Sequence, residues 1–545
     1  MFSPRKASTS DTQTDSPESS RWPTRSSRFP GETRTRARNT LKVLGVNPIP
    51  REREALVLNL FLILSAGAVI VTLSPALSSP LGPIDDHEYL KYRFFNPSGD
   101  LLLGARQGLD RAWEEFTKEG RVRPIYQIGR TLTTSLIADN AFIRYAFRMA
   151  IATGVVTALT ATTIKRDSAS HLPLSQRLLL GITSTTLSLT VLPWSDVVGR
   201  LGPPDSLGIL GLFLAFSALA LALRSPNRTP HHALTALFFC GLIVAAGSRE
   251  SYAIHTAVIT ASLLLFFRSQ LNLGVRTLAA LTFFCIYPLT SIIALRLRSG
   301  TDFYGKDRTL LSSFEAFYDF MSSDLFTRNA PVIALWWVLS GQRQRRQIAY
   351  LSIVAFLMMA MDFLQYSSAL SVYGRYRFVS DFVFLVALLG ACEASFRLIN
   401  RFRSPPARKW AGRLLAPAAT AIFILFWIPQ LQDARSEFEY ASRLNRGYAL
   451  TVSNILSEVE NSSNDAVLVL TDPLSEAYHA RDLQERSLGL FWSVRYSLPP
   501  STTVLKSDAS SQPSTIGASF CIFVGIAPTP ELSETWSCQN FTQVF

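Results

Sequence analysis

Residues 54–76 read EALVLNLFLILSAGAVIVTLSPA, and a dense polar stretch, Ile84-Asp-Asp-His-Glu-Tyr-Leu90, follows shortly after. A run of about 20 predominantly apolar residues is what an α-helix needs to cross the hydrocarbon core of a bilayer. Working outward, similar blocks recur at approximately 141–163, 174–193, 207–224, 232–248, 251–267, 277–295, 329–341, 347–366, 379–398 and 414–430. The block at 329–341 is short, and its start is not marked by the sequence. The pattern predicts a mainly α, polytopic membrane protein with about eleven transmembrane helices.

The net charge of +13 would suggest a nucleic-acid partner in a soluble protein, but here the basic residues alternate by side. Beginning with an Arg-rich N-terminal tail, every second connection is basic: Lys165, Arg166 and Arg177; Arg224 and Arg228; Arg268 and Arg276; Arg343, Arg345 and Arg346; then the run from Arg397 to Arg413. That is the positive-inside bias, and it predicts no nucleic-acid partner. With an odd number of spans it places the N terminus in the cytoplasm and the first loop and C-terminal region on the exported side of the plasma (inner) membrane.

Three regions follow. Residues 1–50, rich in Ser, Thr, Pro and Arg, are expected to be a disordered basic cytoplasmic tail. No small-residue cleavage site follows a short apolar core, so the first span is expected to remain as an anchor. Residues 51–432 form the multi-spanning domain, including a long exported loop at 77–140. From 433 to 545 the composition is that of a small soluble exported domain. A helical pattern at Val452, Ile455, Leu456 and Val459 precedes strand-like runs at 466–470 and 520–524, which reads as a small α/β unit. It carries no nucleotide loop, zinc spacing or nucleophile elbow. Cys240, Cys285 and Cys392 fall in apolar blocks, where a buried thiol behaves as a small hydrophobe, whereas Cys521 and Cys538 share the exported region and are expected to pair.

The polar residues gather on the exported side. Asp85, Asp86, His87 and Glu88 put three carboxylates and an imidazole against a membrane face, a set suited to general-base work. The same carboxylates could hold a divalent cation such as Mg or Mn, but no distant further ligand identifies itself, so no metal site is assigned. The bland alternative is a solvated acidic loop. Later in the loop, Leu109, Trp113 and Phe116 lie opposite Asp110, Arg111, Glu114 and Glu115, as in an amphipathic helix on a bilayer surface. Next come Arg121 and Arg123, followed by Arg130, with lipid headgroup contact as the alternative reading of these arginines.

A tight turn holds Arg249 and Glu250, either an ion pair capping a helical hairpin or part of a site opening on the same side as Asp85 and Asp86. The loop at 296–328 carries Tyr304, Lys306, Asp307 and Arg308, and a third cluster carries Tyr373, Arg375 and Arg377. Guanidinium forks suit phosphate oxygens at a membrane surface, though an aromatic belt with basic anchors would look similar.

An acidic motif after the first span, many further spans, basic exported loops and an exported C-terminal domain together resemble the C-type (GT-C fold) membrane glycosyltransferases. The resemblance covers the architecture to about residue 430. Asp85-Asp86-His87-Glu88 is similar to the acidic pairs those enzymes carry in their first outer loop. The Gly-Arg of 120–121 and the Arg-Tyr-Arg of 375–377 resemble stretches of bacterial members. The resemblance implies an inverting transferase with Asp85 or Asp86 as base, a polyprenyl-phosphate sugar as donor, and a cell-envelope glycan, lipid or protein acceptor. Arg249, Lys306, Arg308, Arg375 and Arg377 are candidates to stabilise the departing lipid phosphate.

Two other readings remain open. A transporter or flippase of a lipid-linked or anionic solute would place charges at the bilayer midplane and show repeated halves, and no internal repeat is evident. A polysaccharide polymerase or ligase would carry its main polar loop late in the chain.

Overall fold

The computed structural model describes residues 51–82, 87–119, 121–138, 140–165, 169–201, 205–224, 232–266, 276–277, 279–280, 318, 322, 324–366, 378–402, 405–461, 466–471, 490–498, 502–508, 520–524 and 540–544. Chain contacts separate residues 1–57 from 58–545, and the packing described here lies within 58–545.

The helices, in order, are α1 (Arg51–Leu73), α2 (His87–Phe95), α3 (Leu101–Glu114), α4 (Pro124–Ile137), α5 (Ala141–Lys165), α6 (Leu174–Val191), α7 (Trp194–Val198), α8 (Asp205–Arg224), α9 (His232–Ser248), α10 (Glu250–Phe266), α11 (Asp324–Leu339), α12 (Gln342–Tyr366), α13 (Phe378–Phe402) and α14 (Pro405–Asn461). A short helix, α15, covers 490–497. Ten of the eleven apolar blocks are thus helices, and the eleventh, 277–295, lies almost wholly outside the described residues. Among the described residues, Glu52–Ser78, Ala141–Lys165 and Phe378–Asn400 are each long and apolar enough to cross a membrane, and Asp205–Ala218 and Ala233–Ser248 are shorter apolar helices.

Small residues and hydroxyls set the helix packing, as expected where lipid tails are as apolar as leucine. Gly211 and Gly241 let α8 and α9 approach until a Cβ on Gly241 would lie 2.6 Å from the Ala215 nitrogen. Ser65 Oγ lies 2.7 Å from Thr185 Oγ1, which is 3.1 Å from Thr160 Oγ1, so three hydroxyls tie α1, α5 and α6 together. Cys240 differs from the expectation of a buried thiol: it lies on an exposed face of α9. An apolar helix against lipid can display cysteine outward as readily as leucine.

The last helix departs most from the sequence pattern. Instead of a span at 414–430 followed by a separate helix near 452–459, α14 runs unbroken for 57 residues, about 85 Å at 1.5 Å per residue. Its far end is the floor of the C-terminal unit. There β1 (Ala466–Thr471), β2 (Thr503–Asp508), β3 (Phe520–Val524) and β4 (Asn540–Val544) form a wholly parallel sheet in the order β2-β1-β3-β4. Val467, Val469, Val504, Phe520 and Ile522 share a core with Ile455 and Val459 of α14 and with Leu490 and Val494 of α15. Cys521 is disulfide-bonded. Cys538 lies outside the described residues, so the expected pairing is untested.

The first loop and the C-terminal unit share one end of the helix bundle. Asn445 on α14 donates to Ser79 Oγ at 2.8 Å and to the Tyr145 hydroxyl at 3.1 Å, joining α14, the turn after α1 and the first turns of α5.

Candidate active site

The first loop folds into α2, α3 and α4, and their polar faces turn inward. Asp100 caps α3, accepting from the amides of Leu102 at 2.8 Å and Leu103 at 3.3 Å. Gly108 lets α3 close on α4: a Cβ there would lie 2.6 Å from Ile128 Cα. This contact buries Glu115 and half-buries Arg111. Leu102, Leu109 and Trp113, by contrast, are 81%, 56% and 67% exposed. A water-facing helix would do the opposite. The arrangement suits an outer surface that is not water.

Inside, side chains from five helices and the turn before α4 make a buried layer of charge. Glu88 on α2 lies 3.3 Å from Arg130 Nη1 on α4. Arg130 also donates to the Tyr126 hydroxyl, and its guanidinium sits over the rings of Tyr126, 4.2 Å from the centroid, and Tyr92, at 5.9 Å. The Tyr92 hydroxyl donates to Gln127 Oε1 at 3.2 Å, and Gln127 Nε2 donates to Glu115 Oε1 at 2.6 Å. Arg123 Nη2 donates to the same oxygen at 2.7 Å, with Arg111 Nη2 3.9 Å away. The layer continues through the turn between α9 and α10, where Glu250 Oε1 accepts from the Val122 amide at 3.0 Å and lies 3.9 Å from Arg123 Nε. Beside it Arg249 Nη1 donates to Asp205 Oδ1, on the first residue of α8, at 2.6 Å.

Four carboxylates (Glu88, Glu115, Glu250, Asp205) thus face four guanidinium groups (Arg111, Arg123, Arg130, Arg249). Buried charge of this density persists only when paired and hydrogen-bonded. Burial by itself would pull the Arg123 pKa down, but Glu115 and Glu250 raise it above its ordinary value. Burial drives the Tyr92 phenol well above its usual pKa, with Arg130 opposing, so it stays a neutral hydrogen-bond donor.

α2 is fixed from the other side as well. Tyr89 donates to the Leu201 carbonyl at 2.8 Å, and the Arg144 guanidinium stacks 3.7 Å from its ring centroid. Arg148 donates to the carbonyls of Val197, Arg200 and Leu201. Contacts on both sides thus fix the position of α2.

Of the residues singled out in the sequence, the structure brings Glu88, Arg123, Arg249 and Glu250 into this layer. Arg121 is half-buried at its edge, its amide donating to the Glu115 carbonyl at 3.0 Å. His87 begins α2, and its side chain lies outside the description. Asp85, Asp86, Lys306, Arg308, Tyr373, Arg375 and Arg377 lie outside the described residues. Arg249 and Glu250 are not a pair capping their own hairpin: each bonds to a different element. Glu88, the described member of the acidic trio, already has a cationic neighbour in Arg130.

Tyr92, Gln127 and Asp205 complete the layer without having been singled out, together with Arg130, which the sequence offered as a headgroup-contacting arginine, and Arg111 and Glu115, which it offered as the polar side of a surface helix. Spacing carried a signal: Arg123, Gln127 and Arg130 stand at i, i+4 and i+7, one polar stripe on α4, and Glu88 with Tyr92 and Arg111 with Glu115 are i, i+4 pairs.

Below this end, an apolar cavity of about 540 Å³ opens between α5, α8, α10, α11, α12 and α13. Its described lining includes Phe213, Ile259, Trp336, Met358, Phe378 and Phe382, and no charged residue.

Fold and site together define an integral membrane protein, polytopic and mainly α, with a small parallel α/β unit at the end that carries the charged layer. No family model matches the sequence, and no curated protein matches it. Among solved structures, the chain is similar to the crystal structure of ArnT from Cupriavidus metallidurans in the apo state, with 12% identity over 82% of this chain and 85% of that chain and a TM-score of 0.39. A likeness of that size transfers no residue role.

Proposed function

We propose that the chain is a membrane glycosyltransferase that moves a sugar from a polyprenyl-phosphate donor to a cell-envelope glycan, lipid or protein acceptor on the exported side. The observation that carries this reading is the convergence of Glu88, Arg123, Arg130, Arg249 and Glu250 directly behind the start of α2, the element that Asp85 and Asp86 precede. Soluble nucleotide sugars stay in the cytoplasm, so a transferase on the exported face needs a donor carried by the membrane. In this reading Asp85 or Asp86 accepts the proton of the acceptor hydroxyl, whose oxygen attacks the anomeric carbon with inversion. The glycosidic bond to the lipid phosphate breaks, and its electron pair leaves on the phosphate oxygen. Basic groups, among them Arg375 and Arg377, would stabilise that charge.

The apolar cavity supports the same reading. It begins at Phe378 and Val379, the first turn of α13 after Arg375 and Arg377, and reaches Ala387, about 12 Å further along the axis. A prenyl chain matches such a lining. A path for an anionic solute would be expected to carry charge at membrane depth, and the described lining carries none.

Transfer from a polyprenyl-phosphate sugar, assayed with Asp85→Asn and Asp86→Asn proteins, tests the proposal. The amides keep size and hydrogen bonding but lose basicity, so at least one variant should lose about a hundredfold or more in rate at parental thermal stability. Parental rates in both would sink the base assignment and move the transporter reading ahead.

A further inference from the structure

Helix α15 turns an aromatic stripe outward. Leu490, Ser493, Val494 and Leu498 are buried, and Ser493 Oγ is held 2.8 Å from the Tyr448 hydroxyl of α14. The opposite face carries Trp492 and Tyr496, one turn apart, their rings stacked with centroids 5.4 Å apart and planes 9° from parallel. Tyr496 in turn meets Phe94 and Phe95 of α2 at 5.7 and 6.1 Å. An aromatic seam between two elements normally closes over itself, and this one stays open: Phe95 is 54% exposed, and Trp492 and Tyr496 are only half-buried.

Polar groups border the rings. The Tyr496 phenol has Glu88 and Arg111 as electrostatic neighbours, so the open rings adjoin the charged layer. Gln107 of α3 donates to the Phe95 carbonyl at 3.3 Å, and Arg495 donates to the Thr502 carbonyl at 2.7 Å, holding the two edges of the seam. The exposed apolar face of α3 looks different: Leu101, Leu102, Leu103 and Leu109 lie there beside a single aromatic, Trp113.

A pyranose ring has an apolar face of C–H groups and a rim of hydroxyls. An aromatic face flanked by a carboxylate, a guanidinium and a phenol meets both. We propose that Phe95, Trp492 and Tyr496 form a docking platform for a sugar ring of the acceptor, presented jointly by the first loop and the C-terminal unit. That the sugar belongs to the acceptor rests on the transferase reading: a lipid-linked donor is anchored by its tail and phosphate, whereas a glycan arriving from solvent needs a grip of its own. The binding of a sugar ring does not depend on that reading.

Saturation-transfer NMR on the full chain in lipid nanodiscs tests the platform, with methyl β-D-glucopyranoside, methyl α-D-mannopyranoside and N-acetylglucosamine as probes. Ring C–H protons of at least one probe should receive saturation. Trp492→Leu and Phe95→Leu keep apolar bulk but lose the flat ring and should reduce the signal about tenfold. Trp337→Leu, at an exposed tryptophan of α11, should leave it unchanged. Phe95 is exposed enough for its variant to fold even if Trp492→Leu does not. Absence of saturation in all three probes, or an undiminished signal in Phe95→Leu, overturns the platform. Brominated phospholipids in the disc give an independent check. If they quench the Trp492 emission, read as the difference from Trp492→Phe, as strongly as that of Trp337, the rings lie in the bilayer and the proposal falls. None of these readings requires turnover, so a failed base assignment at Asp85 and Asp86 would leave them standing.

Discussion

The first loop and the C-terminal unit sit at the same end of the bundle and are built on opposite rules. The C-terminal unit has an aliphatic and aromatic interior: Val467, Val469, Ile455, Phe520 and Ile522 are buried. In the first loop the interior is Glu88, Glu115, Arg123, Gln127 and Arg130, while Leu102, Leu109 and Trp113 face out. The contrast is the one expected of a unit that meets water and a loop that lies against lipid. A unit bathed in water gains by burying valine and isoleucine. A helix lying on lipid gains nothing by burying leucine and must instead pair its charges internally.

Removing one member from each interior should expose the contrast. Glu115→Ala strips Arg123 and Gln127 of their shared acceptor and should destabilise by about 3–5 kcal/mol, because the buried Arg123 guanidinium loses its hydrogen-bonded carboxylate and keeps only Glu250 at 3.9 Å. Ile522→Ala opens a cavity in the sheet core and should cost about 2–5 kcal/mol. Thermal unfolding in detergent compares them, and hydrogen exchange localises each loss. If Glu115→Ala loosens the C-terminal sheet as much as α3 and α4, the two interiors are one cooperative unit and the contrast fails.

Where the regions meet, Tyr496 gives a smaller, pH-dependent effect. Burial, reinforced by Glu88, raises its pKa from the ordinary 10.0 to about 12. The folded phenol therefore keeps its proton where the unfolded one has lost it. This contribution is complete below about pH 10 and falls as pH rises towards about 12. Tyr496→Phe should flatten the decline of the unfolding midpoint across that alkaline window, and an unchanged decline would place the loss in other groups. The least sensitive site should be the Arg435–Glu439 pair on α14, 2.9 Å long and exposed at both ends. Arg435→Ala should shift stability by less than about 1 kcal/mol, so a larger loss would show that this stretch of α14 is not simply solvated.

The helices were legible because a bilayer demands long apolar runs, and the local pattern alone states them: ten blocks became helices, with ends close to those read from the residues except at 414–430, which lies inside the much longer α14. The Val467–Val469 and Phe520–Ile522 strands were legible for a similar reason, since a buried parallel strand is a short unbroken apolar run. The candidate site was only half legible. Glu88 and Arg123 stood out as charges in a long loop and Arg249 and Glu250 in a tight turn, whereas Arg111 and Glu115 looked like the polar side of an amphipathic helix on a bilayer surface. Period fixes which residues share a face, but not what that face meets. It therefore said that Arg111 and Glu115 lie opposite Leu109 and Trp113, and the tertiary packing of α3 on α4 decided which side was buried.

What the sequence determined by itself was the class of the protein, its spans and the end at which its charge collects, because these follow from local composition against a fixed bilayer thickness. Only the tertiary structure decided that Asp205 meets Arg249, that Glu115 is shared by Arg123 and Gln127, and that α14 continues as one rod into the C-terminal unit. The physical reason is range: hydropathy acts through the medium next to each residue, whereas an ion pair such as Asp205 with Arg249 depends on two helix ends arriving within 2.6 Å, which no local pattern encodes.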